Sequence, residues 1–285
     1  MQYFFINNQF YTGIYKPKLK KFKILTPDSN LQPDILLGDL ANHPNFGIYL
    51  KITIETFSTF SFMVNPDQSI WSNDVQRYML AKALLEAKGI IKTPRLLDSM
   101  DVIPKGMLGY DVLHNGFSNL NITLDQVDPS LIKKKKIVIA SLNPIYKFNE
   151  LAEVLQKKYG IRAENKFVTP PDYLDKMKSL TNVDVYCIGW ASIFAHPDAT
   201  FLPFYKLGLD HFTSLERPVK DIENSPTISE QFKHYRDLSL RLVSEGFIIP
   251  HSQVNSEFYV KPGITTSRQR FRYTLQISEI SRDNQ

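Results

Sequence analysis

Ile137-Val138-Ile139-Ala140-Ser141-Leu142 opens the stretch of chain that decides the fold. A strand that is apolar on successive residues is buried on both faces, as in the parallel sheet of an α/β protein. The theme then repeats. Asn149 is positioned to cap a helix carrying Leu151, Val154 and Leu155, with Tyr159-Gly160 as its close. Residues 162–168 supply a second candidate strand, Pro171-Asp172 opens a short helix through Met177, and residues 183–190 supply a third strand. Short strands alternating with helices predict βαβ units and a partly parallel sheet.

Outward from this stretch the pattern is less regular. Residues 47–65 are strand-like, from Ile48 through the aromatic run Phe57, Phe60 and Phe62 to Val64. Asn73-Asp74 starts a helix whose stripe runs Val75, Tyr78, Met79, Leu80, Ala83, Leu84 and Ala87, with Gly89 at its end. Residues 1–30 read as a short loop and then a strand around Phe22 and Ile24. Residues 31–42 place Leu31, Ile35, Leu36 and Leu40 at helical spacing, and residues 90–130 read as loops and short helices. Downstream, residues 191–226 carry Pro197, Pro203, Pro218 and Pro226 and read as one long segment of the kind often used for binding. Residues 227–245 form the clearest helix, with Ile228, Phe232, Tyr235, Leu238, Leu242 and Val243 on one face and Gly246 as the stop. A short strand over 247–250 and a strand pair around Lys261-Pro262-Gly263 complete the chain.

The composition narrows the function classes. The 285 residues are 43% hydrophobic and 12% aromatic, enough for a sizeable core or two lobes. Much of the net charge of +5 traces to lysine runs at 16–23 and 133–136 beside strand-like segments, where lysines discourage edge pairing. No nucleic-acid-binding module accompanies them, so no nucleic-acid partner is expected. The single cysteine, Cys187, excludes an intrachain disulfide and fits a small buried apolar residue. Met1 to Asn7 lack the basic start and long apolar run of a signal peptide. The expectation is either a cytoplasmic protein or a piece whose export signal lies upstream.

Catalytic signatures are missing: no Gly-rich phosphate loop, no His-Glu-x-x-His and no Gly-x-Ser-x-Gly. The six histidines share no metal-ligand spacing on one element, and nothing calls for a cofactor. His196 and Asp198 flank Pro197 beside Ser192, but no nucleophile with an oxyanion hole can be placed there. The reading is a binding module, not an enzyme.

Several blocks, in order, resemble the bacterial extracellular solute-binding proteins of family 5, which serve oligopeptide and dipeptide ABC importers. Asn8-Gln9-Phe10-Tyr11-Thr12-Gly13 with Lys16-Pro17-Lys18-Leu19 resembles the family's entry into a strand, and Gly38-Asp39-Leu40 a conserved corner. The aromatic strand through Asn65, followed by Asn73-Asp74-Val75-Gln76-Arg77, is similar to a crossover and helix. Residues 149–161 are similar to the helix that the family ends in Leu-Gly-Ile. Asp184-Val185-Tyr186-Cys187-Ile188-Gly189-Trp190, running into His196-Pro197-Asp198 and Phe201-Leu202, resembles the family's Gly-Trp block. Tyr235-Arg236-Asp237 with Ile248-Ile249-Pro250, then Val260-Lys261-Pro262-Gly263, resemble its closing segments.

The resemblance implies an α/β, periplasmic-binding-protein-like (type II) lobe with a mixed sheet, plus part of the second lobe. It implies a partial first lobe over residues 1–57, a ligand-binding lobe over 58–257 and return strands over 258–285. The two crossings, near residues 57–62 and 257–260, are the hinge candidates. The match begins midway in the family's pattern, so the missing first half is expected upstream, and a fragment of this kind is expected to self-associate. The implied ligand is a small solute or peptide held in an interlobe cleft, and the implied partners are ABC permease subunits. The implied location of the full-length protein is periplasmic or extracellular, lipid-anchored or soluble. The implied site residues are Trp190, Ile193, Phe194, Phe60, Phe62, Asn65 and Asp198. Three positions beyond Trp190, where peptide-binding members place an Asp for the ligand's ammonium, this chain has Ile193. Burying an unpaired ammonium is costly, so a neutral, apolar or sugar ligand is expected unless Asp198 bends back to serve. Two other readings share the fold: a cytoplasmic ligand-sensing domain of a transcription regulator, and an interaction protein with a vestigial cleft.

Overall fold

The computed structural model describes residues 2–5, 21–24, 35–37, 49–87, 96–98, 101–110, 136–142, 145, 148–169, 172–192, 196–265 and 281–282. The chain divides into two compact units, Met1–Thr56 with Asn255–Gln285, and Phe57–Val254. It passes from one to the other within two strands, β4 (Leu50–Val64) and β9 (Ile248–Val260).

In the smaller unit, β1 (Gln2–Phe5) pairs antiparallel with β2 (Lys21–Ile24). The opening residues are therefore a strand where the sequence suggested a loop. β3 (Ile35–Leu37) pairs antiparallel with the end of β9, Ile35 opposite Val260. This replaces the helix expected over 31–42: Pro33 and Gly38 break the helical spacing, and ladder bonds to β9 decide the conformation of Ile35, Leu36 and Leu37. Tyr49 and Tyr259 are buried together. The Lys261-Pro262-Gly263 turn, with Gly263 at φ +81°, leads into β10 (Ile264–Thr265). β10 pairs with β11 (Ser281–Arg282), so the expected strand pair around that turn is not formed between β9 and β10 among the described residues.

The larger unit holds a mixed sheet in the order β5-β9-β4-β8-β6-β7, with β5 (Leu96–Asp98), β6 (Lys136–Ser141), β7 (Arg162–Phe167) and β8 (Val185–Ala191). β6 is parallel to both β7 and β8, and β4 is antiparallel to β8. From Ile137 on, β6 is buried along its length, as a central parallel strand requires. α1 (Asp74–Ala87) and α2 (Phe148–Tyr159) supply Leu80, Leu84, Leu151, Leu155 and Tyr159 to a core shared with Phe62, Val64, Ile137, Ile139, Val185 and Cys187. Leu151 and Leu155 each contribute about 1.5–3 kcal/mol by burial. α2 begins at Phe148, so Asn149 lies in its first turn and is not its cap. Gly160, at φ +68°, turns the chain into β7, as its position after the last apolar residue suggested.

The expected long loop over 191–226 is largely helical. After α3 (Tyr173–Ser179) and β8 come α4 (Pro197–Lys206) and α5 (Glu216–Glu223). Each proline has a helical reason. Pro197 occupies the first turn of α4 and Pro218 the first turn of α5, where the missing N–H costs nothing. Pro226 precedes the cap of α6 (Ile228–Ser244), whose Thr227 hydroxyl accepts from the Glu230 N–H at 3.2 Å. Only Pro203 lies inside a helix.

α6 buries Tyr235, Leu238, Ser239, Leu242 and Val243, but Ile228, expected on the same face, is 70% exposed. The helix closes on Gly246 at φ +72°, with Gly246 N–H to Val243 O at 3.1 Å and Phe247 N–H to Leu242 O at 2.9 Å. A Cβ on Gly246 would come within 3.1 Å of the Ala81 Cβ of α1. Arg77 of α1 reaches the same helix end, its Nε donating to Glu245 O at 2.7 Å. The strand expected over 247–250 is the start of the much longer β9.

Candidate functional site

β6, α2 and β7 run to one side of the sheet, and the chain then returns through α3 to β8 on the other side of β6. The order therefore reverses between β6 and β8, and open α/β sheets bind ligands beyond the carboxyl ends of the strands at such a reversal. Ser141, the last residue of β6, lies opposite Cys187. β8 continues past it through Ile188, Gly189, Trp190 and Ala191, still paired with β4. Trp190 thus stands three residues, about 10 Å at the rise of a strand, beyond the end of β6. Gly189 and Ala191 are exposed and Trp190 is half-buried, whereas the four preceding residues of β8 are buried.

The indole of Trp190 has a defined partner. Its Nε1–H donates to the Ala199 carbonyl in the first turn of α4 at 2.7 Å. In a regular helix that carbonyl would accept from residue 203, but Pro203 has no N–H, and its ring crowds the carbonyl four residues back. The tryptophan supplies the missing donor. Ser192 fixes the chain just beyond: its N–H donates to Phe57 O at 3.3 Å and its hydroxyl lies 2.9 Å from that of Thr200. The N-cap of α4 is His196, whose Nδ1 accepts from the Asp198 N–H and lies 3.2 Å from the Asp198 carboxylate. Asp198 is exposed, one residue from Ala199. The Tyr173 hydroxyl at the start of α3 lies 3.5 Å from the Gly189 carbonyl, and burial raises its pKa.

The structure brings Trp190 and Asp198 into one neighbourhood through α4. It does not bring Phe60 or Phe62 of β4 to them. Thr59 faces Trp190 across the ladder, whereas Phe60 faces Gly189 and Phe62 faces Cys187. Alternation along a strand puts Phe60 and Phe62 on the opposite face of the sheet from Trp190. Phe60 is half-buried against Phe62 and His251, at centroid distances of 5.9 and 5.0 Å, and Phe62 is wholly buried in the core. Asn65 lies at the far end of β4, buried, its Nδ2 donating to Val183 O at 2.8 Å and its Oδ1 accepting from the Asp67 N–H. Both Phe62 and Asn65 hold the fold. Ile193 and Phe194 lie outside the described residues. Thr59, Tyr173 and Thr200 surround the strand tip without having been singled out from the sequence, and Ser192, weighed there only as a nucleophile, joins them through its hydrogen bonds. Only the β4–β8 register and the position of α4 gather them, and neither has a local signature.

No protein-family model matches the sequence, and no curated protein matches it. Solved structures do. A substrate-binding protein of an ABC transporter from Listeria monocytogenes aligns with a TM-score of 0.70 at 15% identity, over 94% of this chain and 62% of that one. A dipeptide-binding protein from Pseudoalteromonas, solved with Met-Leu, aligns with a TM-score of 0.64 at 11% identity, over 88% and 54%. NikA from Brucella suis, solved with Fe(III)-EDTA, aligns with a TM-score of 0.66 at 15% identity, over 96% and 64%. The chain spans between about half and two thirds of the length of these structures. Its fold is that of these substrate-binding proteins, an α/β, periplasmic-binding-protein-like (type II) fold with a mixed sheet, as the ordered blocks of sequence implied.

Proposed function

We propose that this chain is the ligand-binding part of a substrate-binding component of a peptide-type ABC importer. In this reading it captures a small solute or peptide beyond the carboxyl ends of β6 and β8 and delivers it to permease subunits. The full-length protein is then exported, periplasmic or extracellular, and lipid-anchored or soluble. The observation that carries the reading is the half-exposed indole of Trp190, projecting past the end of β6 at the strand-order reversal. The likeness to solved binding proteins supports it.

Trp190 offers a ring face to the ligand while its N–H is engaged by Ala199. Asp198, Ile193 and Phe194 sit on the segment after β8 and complete the site in this reading. With Ile193 where a carboxylate would meet an ammonium, the favoured ligands are neutral at that end: blocked peptides, apolar solutes or sugars. A thermal-shift screen of N-acetylated peptides, free peptides and sugars tests this. A bound ligand raises the melting temperature by mass action. The expected outcome is a concentration-dependent rise with N-acetylated peptides or sugars that is lost in Trp190→Ala. A rise confined to free peptides would overturn the ligand class, and an undiminished rise in Trp190→Ala would overturn the site.

A further inference from the structure

A second opening lies wholly within the larger unit, between the turn ending at Tyr110 and the first half of α6. Gly109, Tyr110, Ser229, Phe232, Lys233 and Arg236 line a cavity of about 350 Å³, within the range of small-ligand sites. Gly109 sits at φ +90°, and a Cβ there would lie 3.2 Å from Ile103 Cδ1 and 3.6 Å from the Phe232 carbonyl oxygen. The turn is therefore pressed onto α6, which fixes the floor of the cavity.

The lining has two characters. Lys233 and Arg236 are one helical turn apart, so their positive charges share one face of α6. Among the described residues, the exposed Asp237 is the one carboxylate that pairs with either cation. Arg236 Nη2 lies 3.5 Å from its neighbour Asp237, longer than a charge-assisted hydrogen bond. Glu230 accepts from the Thr227 hydroxyl at 2.7 Å at the helix start. Asp198 is held by His196. Among the described residues no carboxylate pairs with Lys233. The other character is apolar. The Phe232 ring, backed by His196 at a centroid distance of 5.4 Å, is joined by Tyr110. Leu108 and Ile228, the chain neighbours of Gly109 and Ser229, are 60% and 70% exposed. Two aromatic residues lining an opening that also carries two cations define an amphiphilic site.

We infer that this cavity binds a small organic anion, a carboxylate or phosphate monoester carried on an apolar or aromatic body. Lys233, Arg236 and the Ser229 hydroxyl hold the oxyanion, and Phe232 and Tyr110 cover the apolar part. The inference uses none of the residues assigned to the Trp190 site and stands or falls apart from it.

The experiment is a calorimetric titration of the whole chain with benzoate, phenyl phosphate, inorganic phosphate and benzyl alcohol. Benzoate and phenyl phosphate distinguish the two oxyanions. Inorganic phosphate and benzyl alcohol each supply half of the required chemistry. At least one of the two aromatic anions is expected to bind roughly tenfold or more tightly than either half-probe. The Lys233→Ala/Arg236→Ala variant should lose about 10- to 100-fold in affinity. Ser229→Trp, which fills the cavity from an exposed position, should abolish binding while the melting temperature stays at the wild-type value. Failure of both aromatic anions to bind, equal binding by inorganic phosphate, or binding unchanged in both variants would each overturn the inference.

Discussion

The two ends of β8 are built on opposite principles, and a tryptophan marks each. At the amino end, Trp71 is completely buried and its Nε1–H donates to Asp184 Oδ1 at 3.1 Å. The second carboxylate oxygen accepts from the Val138 N–H at 2.9 Å, and the Asp184 carbonyl accepts from the Asn65 N–H. Asp184 thus ties the end of β4, through its carbonyl, to β6 and the segment before α1, through its carboxylate, whose oxygens are satisfied as burial demands. At the carboxyl end, Trp190 also gives its N–H to a carbonyl, but its ring is only half covered and its strand neighbours Gly189 and Ala191 are exposed. The closed end maintains the sheet. The open end is held just firmly enough to present a ring.

This contrast is sharpest under substitution. Trp71→Ala should destabilise the chain by about 3–5 kcal/mol, since it empties a large core site and strips the Asp184 carboxylate of a donor. Chemical denaturation followed by circular dichroism measures it, and a loss no greater than that of Trp190→Ala would break the comparison. Trp190→Phe should cost about 1 kcal/mol, the worth of one hydrogen bond. That cost depends on Pro203. In Pro203→Ala the helix regains an N–H for the Ala199 carbonyl, so Trp190→Phe should then cost close to nothing. A double-mutant cycle reads this coupling directly, and additive effects would show that the indole N–H does not serve the helix.

How much of this was legible in the sequence follows from locality. The β6-α2-β7 alternation, the β8 strand and the α6 helix rest on apolar periodicity and on caps such as Thr227 and Gly246, which are local signals. β3 was misread as helix because Leu31, Ile35, Leu36 and Leu40 satisfy a helical spacing, and its pairing with β9 joins residues more than 200 positions apart. The helices between 197 and 223 were hidden by prolines, three of which in fact mark helix starts. At the site, the Gly189-Trp190 tip could be read from its block of sequence. The face on which Phe60 and Phe62 lie could not: it is set by a register in which Thr59, and not Phe60, meets Trp190.

The buried amino-terminal half of β8 also predicts a smaller effect at alkaline pH. Burial, with a lesser contribution from the Asp67 charge, raises the pKa of Tyr186 on β8 from 10.0 to about 12. The folded state therefore holds its phenolic proton more tightly than the unfolded chain. The stabilisation is fully present below pH 10 and is lost as pH rises toward 12. Tyr186→Phe should flatten this part of the denaturation profile, and an unchanged slope between those limits would remove Tyr186 as its source.

The most direct test of the open end is indole fluorescence, because the two tryptophans differ so sharply in exposure. Titrating the chain with the ligands that raise its melting temperature should change the emission of the wild type and leave Trp190→Phe unchanged, since the remaining Trp71 is buried with its N–H on Asp184. An equal emission change in Trp190→Phe would place the ligand away from the tip of β8 and contradict the account.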